Sequence, residues 1–155
     1  MSEARANQSE TTPSDEQAVS PHPSPITGHP IEVILARQLA GYLALAIIIV
    51  DPSGSVIYYN EPAERILGRR FDEAGPIPWT AWSNAFNFTD MAGEAIPAEE
   101  IPVLAAWRSR RISHLEFWMR GLDGVPRHVD AVGIPLWGNA GRFHGAVSIF
   151  QAIEP

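Results

Sequence analysis

Carboxylates, hydroxyls and imidazoles are the side chains of this sequence that could support catalysis, and their spacing argues against it. Glu99 and Glu100 are adjacent, so on a helix they diverge, and we interpret them as residues that complement a helix dipole. The serines lack the strained turn that exposes a nucleophile. His128 and Asp130 place two donors on one strand face, which surface polar residues do more often than metal ligands. The sequence therefore predicts neither an enzyme nor a metal site.

Cysteine is absent from the 155 residues. This excludes a disulfide framework, a thiolate nucleophile, a cysteine-bound zinc or iron–sulfur site, and a thiol adduct to a cofactor. The formal net charge of −7 disfavours nucleic acid and anionic membranes as partners, because affinity for phosphate depends on clustered positive charge.

Targeting signals are not evident. Residues 1–20 carry four acidic side chains and no apolar stretch, so we expect neither a signal peptide nor a transit peptide, and a cytoplasmic protein. The longest apolar run, residues 39–50, has 12 residues, fewer than the roughly 18 needed to span a bilayer. All 11 basic residues are arginine, which hints at GC-rich coding and a bacterial source.

The length suits one domain. Residues 1–30 are rich in Ser, Thr, Pro, Gln and Glu, which predicts a disordered tail. From there a helical spacing of apolar residues predicts an amphipathic helix over residues 31–43, the start of a folded domain over 31–155. The apolar positions of this helix are Ile31, Ile34, Leu35, Leu39, Tyr42 and Leu43.

A β-hairpin and a short helix should follow. Residues 45–50 are dense in β-branched side chains, residues 51–54 have the Asp-Pro-Ser-Gly pattern of a turn, and residues 55–59 predict the returning strand. Asn60 is suited to cap a helix that ends at Leu67, before a glycine.

The remainder predicts short helical turns and then strands. Over residues 69–97, prolines and glycines surround large aromatic side chains, and the next helix should become regular near Pro102, because proline is tolerated only in a first turn. Strands are predicted over residues 112–120, 125–136 and 143–153. Strands at both ends with helices between them imply an α+β domain with an antiparallel sheet.

The pairing of the first two of these strands follows from their turn. Asp123-Gly124 is typical of a two-residue hairpin turn. Counting outward from it places Met119 opposite His128 and Trp118 opposite Val129.

Several segments, in this order, resemble the PAS family of sensor domains over about residues 32–153. Residues 46–54, 56–60 and 63–68 look like the opening hairpin and first helix of the family, and residues 93–102, 120–124 and 141–150 are similar to its later segments. The resemblance implies a five-stranded antiparallel sheet in the order 2-1-5-4-3, with short helices on one face that enclose a small-molecule cavity.

The resemblance also indicates which residues line the cavity. On the strand after residue 111 we favour Leu115, Phe117 and Met119 as the cavity side. The full predicted lining is Ile48, Tyr58, Ile66, Trp79, Trp82, Phe86, Leu104, Leu115, Phe117, Met119, Val147 and Ile149. We favour a second explanation for the aromatic side chains of this segment over a cofactor site, namely core residues that fill the space under the loops: Trp79, Trp82, Phe86 and Phe88.

The cofactor is not identified by the sequence. Heme is disfavoured, because the predicted helix over residues 98–111 lacks the histidine that heme-binding relatives use. A cysteinyl-flavin adduct is excluded by composition. Flavin held without a covalent bond, or an apolar metabolite, remains open.

We therefore expect a stand-alone PAS sensor that binds a small molecule and signals through a partner protein or a homodimer, because the sequence ends soon after its last strand. The alternative is a ligand-free interaction or dimerisation domain. The predicted interface, on the outer side of the sheet and its flanking helix, is Ile31, Ile34, Leu35, Leu39, Ile112 and Trp118.

Overall fold

The computed structural model describes residues 28–154. The disordered tail predicted for residues 1–30 therefore lies almost wholly outside the described residues. The helices are α1 (Ile31–Ala40), α2 (Glu61–Leu67), α3 (Phe71–Ala74), α4 (Trp79–Asn84) and α5 (Pro102–Ser109), with short 3-10 turns at Ala98–Glu100 and Asn139–Gly141. Within the described range, every helix is too short or too polar to cross a bilayer.

The strands form one antiparallel sheet. They are β1 (Ala46–Val50), β2 (Ser55–Tyr59), β3 (Ile77–Pro78), β4 (Asn87–Thr89), β5 (Ser113–Arg120), β6 (Pro126–Trp137) and β7 (Phe143–Ala152). The sheet order is β3-β2-β1-β7-β6-β5-β4. Its five longer strands have the predicted 2-1-5-4-3 order, which confirms the α+β class. The two short strands extend the edges, so the sheet has seven strands and not five.

The first hairpin and the cap of α2 form as predicted. The amide of Gly54 donates to the carbonyl of Asp51 at 3.0 Å, and the Asp51 carboxylate accepts from the amides of Ser53 and Ser55. Gly54 has φ +89°, and a Cβ there would lie 2.8 Å from the rings of Trp79 and Trp107, so both the turn and the packing require glycine.

Helices cover both faces of the sheet. Helices α2, α4 and α5 pack on the inner face, where the larger core includes Val50, Leu104 and Phe117. Helix α1 packs on the outer face, where Val33 and Ala40 contact a smaller core that contains Ile49. Strand β1 is buried at every residue because it lies between the two cores.

The predicted pairing of β5 with β6 is wrong by one residue. Met119 lies opposite Arg127, and Trp118 lies opposite His128. The connecting loop is longer than a two-residue turn: the amide of Gly121 donates to the carbonyl of Val125 at 3.1 Å, and the last strand pair is Arg120 with Pro126. The longer loop shifts each partner by one position.

Candidate functional site

Asn60 holds three elements together beneath the inner core. Its side chain is 3% exposed and uses its full bonding capacity. The Oδ1 atom accepts from the amides of Ile47 in β1 and Ala63 in α2, at 2.9 and 3.2 Å. The Nδ2 atom donates to the carbonyls of Ala40 and Leu45, at 2.9 and 2.8 Å. The helix cap was predicted, whereas the links to α1 and β1 depend on tertiary structure.

The space between the sheet and the helices is occupied by aromatic rings. Trp82 and Phe86 have centroids 4.9 Å apart, Phe86 and Phe88 are 6.1 Å apart, and Phe88 meets Phe117 edge-on at 5.8 Å. All four side chains are buried, and they join α4, β4 and β5 in one cluster. This aromatic cluster fills the region where the sequence predicted a cavity.

The volume that remains is small. A cavity of about 20 Å³ lies against Ile48, Trp82, Phe117 and Met119. That is room for about one water molecule, whereas pockets for small-molecule ligands typically measure about 300–1,000 Å³. In this conformation the interior does not accommodate a flavin or a comparable metabolite.

Most of the predicted lining residues lie on this inner side. Ile48, Trp82, Phe86, Leu104, Phe117 and Met119 are buried in the inner core, and Ile66, Trp79 and Leu115 pack against it while partly exposed. Phe88, predicted as a core side chain but not as lining, also belongs there, and Ala146, Ser148 and Phe150 were missed. Phe88 lies within the aromatic segment noted in the sequence. In β7, the small side chains of Ala146 and Ser148 were the available signal for which positions face the inner core.

Three predicted lining residues lie on the opposite face. Tyr58, Val147 and Ile149 pack with the outer core beneath α1. In β7, Val147 pairs with Ile49 of β1, and alternation sends both side chains outward. In β2, a register shift beside the Ile49–Tyr58 pair leaves Tyr59 on the inner side. Apolar residues cover both faces of these strands, so hydrophobicity alone did not show which alternating positions face the inner core.

The outward side of α1 is apolar and exposed. Ile31, Leu35 and Leu39 are 58%, 55% and 59% exposed, and Ile34 is also exposed. At spacings of four residues these side chains form a stripe along the helix, which we call the α1 stripe. The other two predicted interface residues are also exposed: Ile112 lies just before β5 and Trp118 lies within it, so neither belongs to the α1 stripe.

The polar side chains of β5 and β6 pair with each other. His114 Nε2 lies 2.6 Å from Asp130 Oδ1, and His128 Nε2 lies 3.4 Å from Glu116 Oε2. The ring of His128 also stacks on Trp118 with centroids 5.2 Å apart. Across residues 28–154, three or more potential ligands do not come together in an arrangement that could hold a metal ion.

The loop between β5 and β6 carries the one strongly perturbed carboxyl among the described groups. Arg127 donates to both carboxylate oxygens of Asp123, at 2.9 and 2.6 Å. These hydrogen bonds lower the pKa of Asp123 to about 2. The pair closes the loop between the two strands.

Comparison with known proteins identifies the fold. No protein-family model and no curated protein sequence matches the chain. Solved structures do match. The PAS domain of a protein from Colwellia psychrerythraea is 21% identical, with a TM-score of 0.56, over 78% of this chain and 96% of that one.

Two further structures agree with the first. The PAS domain of an HTR-like protein from Haloarcula marismortui is 17% identical, with a TM-score of 0.51, over 79% of this chain and 94% of that one. The light-state dimer of the fungal blue-light photoreceptor Vivid is 12% identical, with a TM-score of 0.54, over 87% and 99%. Together with the sheet order and the inner helices, these matches show that the chain has the fold of a PAS domain.

Proposed function

We propose that residues 31–155 form a PAS-type signalling domain that acts through protein contacts, with the α1 stripe as a homodimer interface. The observation that carries this proposal is the filled interior. The inner cavity, at about 20 Å³, is too small to serve as a preformed ligand chamber. A signal then has to pass through the surface of the domain and not through an enclosed small molecule.

A second copy of the chain suits the α1 stripe. In a two-fold dimer the same patch meets itself, so an apolar stripe on one protomer is matched by the identical stripe on the other. Ile31, Leu35 and Leu39 each expose more than half of their surface, although α1 already buries its opposite side on the sheet. Apolar side chains therefore lie on two sides of the helix, which also carries the polar residues Glu32, Arg37 and Gln38. The structure of Vivid, a light-state dimer with a similar fold, supports this assignment by analogy.

Sedimentation velocity of the full chain tests the dimer. We expect self-association that weakens with dilution, and Leu35→Glu should make the protein monomeric, because a charge would be buried in the interface. Met91→Glu is the matched control, since Met91 is 58% exposed but lies in the turn after β4. A monomeric wild type, or equal association of the Leu35→Glu and wild-type proteins, would contradict the proposal.

Ligand binding is a second candidate function, favoured by the position of Trp82. Its indole borders both the inner cavity and a surface pocket of about 400 Å³ that lies beside Leu122 and Pro76. Rotation of this one side chain would join the two spaces and admit an apolar ligand. Native mass spectrometry and an absorption spectrum of the purified chain decide between the two: a co-purifying flavin or lipid supports sensing, whereas an apo mass supports the filled domain.

A further inference from the structure

One end of the domain combines exposed arginines with exposed aromatic and aliphatic side chains. There the connection from α5 to β5 meets the turn from β6 to β7. We call this surface the arginine end, and its residues are Arg110, Arg111, Ile112, Trp137, Arg142 and Phe143. Ile112 is 70% exposed and Trp137 is 49% exposed, so the surface offers apolar area as well as charge.

Ring contacts hold the two segments of the arginine end together. The guanidinium carbon of Arg110 lies 3.3 Å from the centroid of the Phe143 ring. That ring meets Trp137 edge-on, with centroids 5.4 Å apart. Arg110 has φ +61°, a left-handed conformation that ends α5, and its side chain also donates to the carbonyl of Trp107. The cation and the two rings are therefore positioned before any partner arrives.

The positive charge of this surface is not neutralised within the described part of the chain. Arg110, Arg111 and Arg142 make no ion pair with a described acidic residue, although the protein as a whole has a net charge of −7. The nearby carboxylate of Glu32 faces His144 instead, at 3.6 Å. A hollow of about 500 Å³ borders this surface at Arg142 and extends to Ile31 and Glu32 at the start of α1.

We propose that the arginine end binds an acidic segment of a partner protein. Arginine and tryptophan are the side chains that most often dominate binding energy at protein interfaces. The guanidinium groups would pair with Asp or Glu carboxylates, while Trp137 and Ile112 would cover the apolar side chains between them. Charge complementarity argues for an acidic partner, because a basic or neutral segment would leave the three arginines unpaired.

Selection from a displayed library of random peptides tests the proposal on the full chain. We expect the enriched peptides to combine several Asp or Glu residues with an aromatic one. A synthetic copy of the most enriched peptide should bind wild type and lose about tenfold in affinity to Arg111→Glu/Arg142→Glu. Arg65→Glu/Arg69→Glu is the control, because it makes the same charge change at two other exposed arginines. Arg65 lies in α2 and Arg69 lies just after it. Thermal melts verify that both variants fold.

Further measurements distinguish an acidic peptide from other possible binding partners of the arginine end. Peptide affinity should fall several-fold between about 50 and about 300 mM NaCl, because exposed charges are screened, and Leu35→Glu should leave it unchanged. Enriched peptides without an acidic excess, or equal binding to the Arg111/Arg142 variant, would overturn the proposal. So would a single-stranded RNA that displaces the peptide from wild type, or a loss of self-association in that variant.

Discussion

Replacing Trp82 with alanine tests whether aromatic side chains fill the interior. The indole is 5% exposed and lies 4.9 and 6.2 Å from the rings of Phe86 and Phe88. A buried tryptophan covers about 200 Å², which corresponds to about 5 kcal/mol at 25 cal/mol per Å², and such truncations cost about 3–5 kcal/mol. Since about 1 kcal/mol moves the Tm of a domain of this size by about 4 °C, we expect a decrease of about 12–20 °C.

The cavity left by this substitution provides the assay. An apolar cavity shaped by the loss of an indole ring can bind small aromatic molecules. In scanning calorimetry, about 2 mM indole should therefore raise the Tm of the Trp82→Ala protein but not that of wild type. Trp137→Ala is the control: its side chain is 49% exposed, so its loss should be less than half as large and should not respond to indole. A Trp82→Ala protein that melts within about 3 °C of wild type would refute the reasoning.

Three further predictions concern stability. Asn60→Ala should lower the free energy of unfolding by about 3–5 kcal/mol in urea titrations, because four main-chain groups lose a hydrogen-bond partner and three of these bonds are buried. Gly133→Ala should unfold the domain or reduce its stability by more than about 3 kcal/mol, because the added Cβ would lie 1.9 Å from the Pro102 carbonyl oxygen; a change below about 1 kcal/mol would contradict that packing. Folding lowers the pKa of Asp123 from 3.8 to about 2, so its ion pair with Arg127 stabilises the fold above about pH 4 and the contribution is lost as the pH falls through about 2. Arg127→Gln should therefore flatten the decline of Tm between those two pH values, and an unchanged slope would count against the pair.

Local signals predicted most of the elements. The turn at residues 51–54, the cap at Asn60 and the start of α5 at Pro102 each depend on a few neighbouring residues, and each is confirmed. The amphipathic helix was predicted over residues 31–43 and ends at Ala40. On β5, Phe117 and Met119 are buried inward and Trp118 is exposed, as its alternation predicted. Where one face of an element is polar, periodicity is sufficient to orient it.

The errors occur where both faces are apolar. Strand β7 lies in the middle of the sheet, between β1 and β6, with the inner core on one side and α1 on the other. Apolar and polar residues therefore do not alternate along this strand, and Val147 and Ile149 were assigned to the wrong face of the sheet. Tyr58 fails for a different reason, a register shift between β1 and β2 that no residue pattern announces. Cavity volume was also beyond the sequence, since it depends on how the rings of Trp82 and Phe88 interlock.

The bonding of Asn60 limits how α1 can take part in a dimer. Its Nδ2 atom donates to the carbonyl of Ala40 at the end of α1 and to that of Leu45 in the following link. Lifting α1 from its own sheet would leave a buried donor without an acceptor, at a cost of about 1–3 kcal/mol, and would expose Val33 and Ile49 to water. Contact through the α1 stripe would break none of these bonds, because the exposed side chains of Ile31, Leu35 and Leu39 face away from the sheet. In the proposed dimer each α1 would therefore stay on its own protomer, and a change in its packing would reach α2 through Asn60.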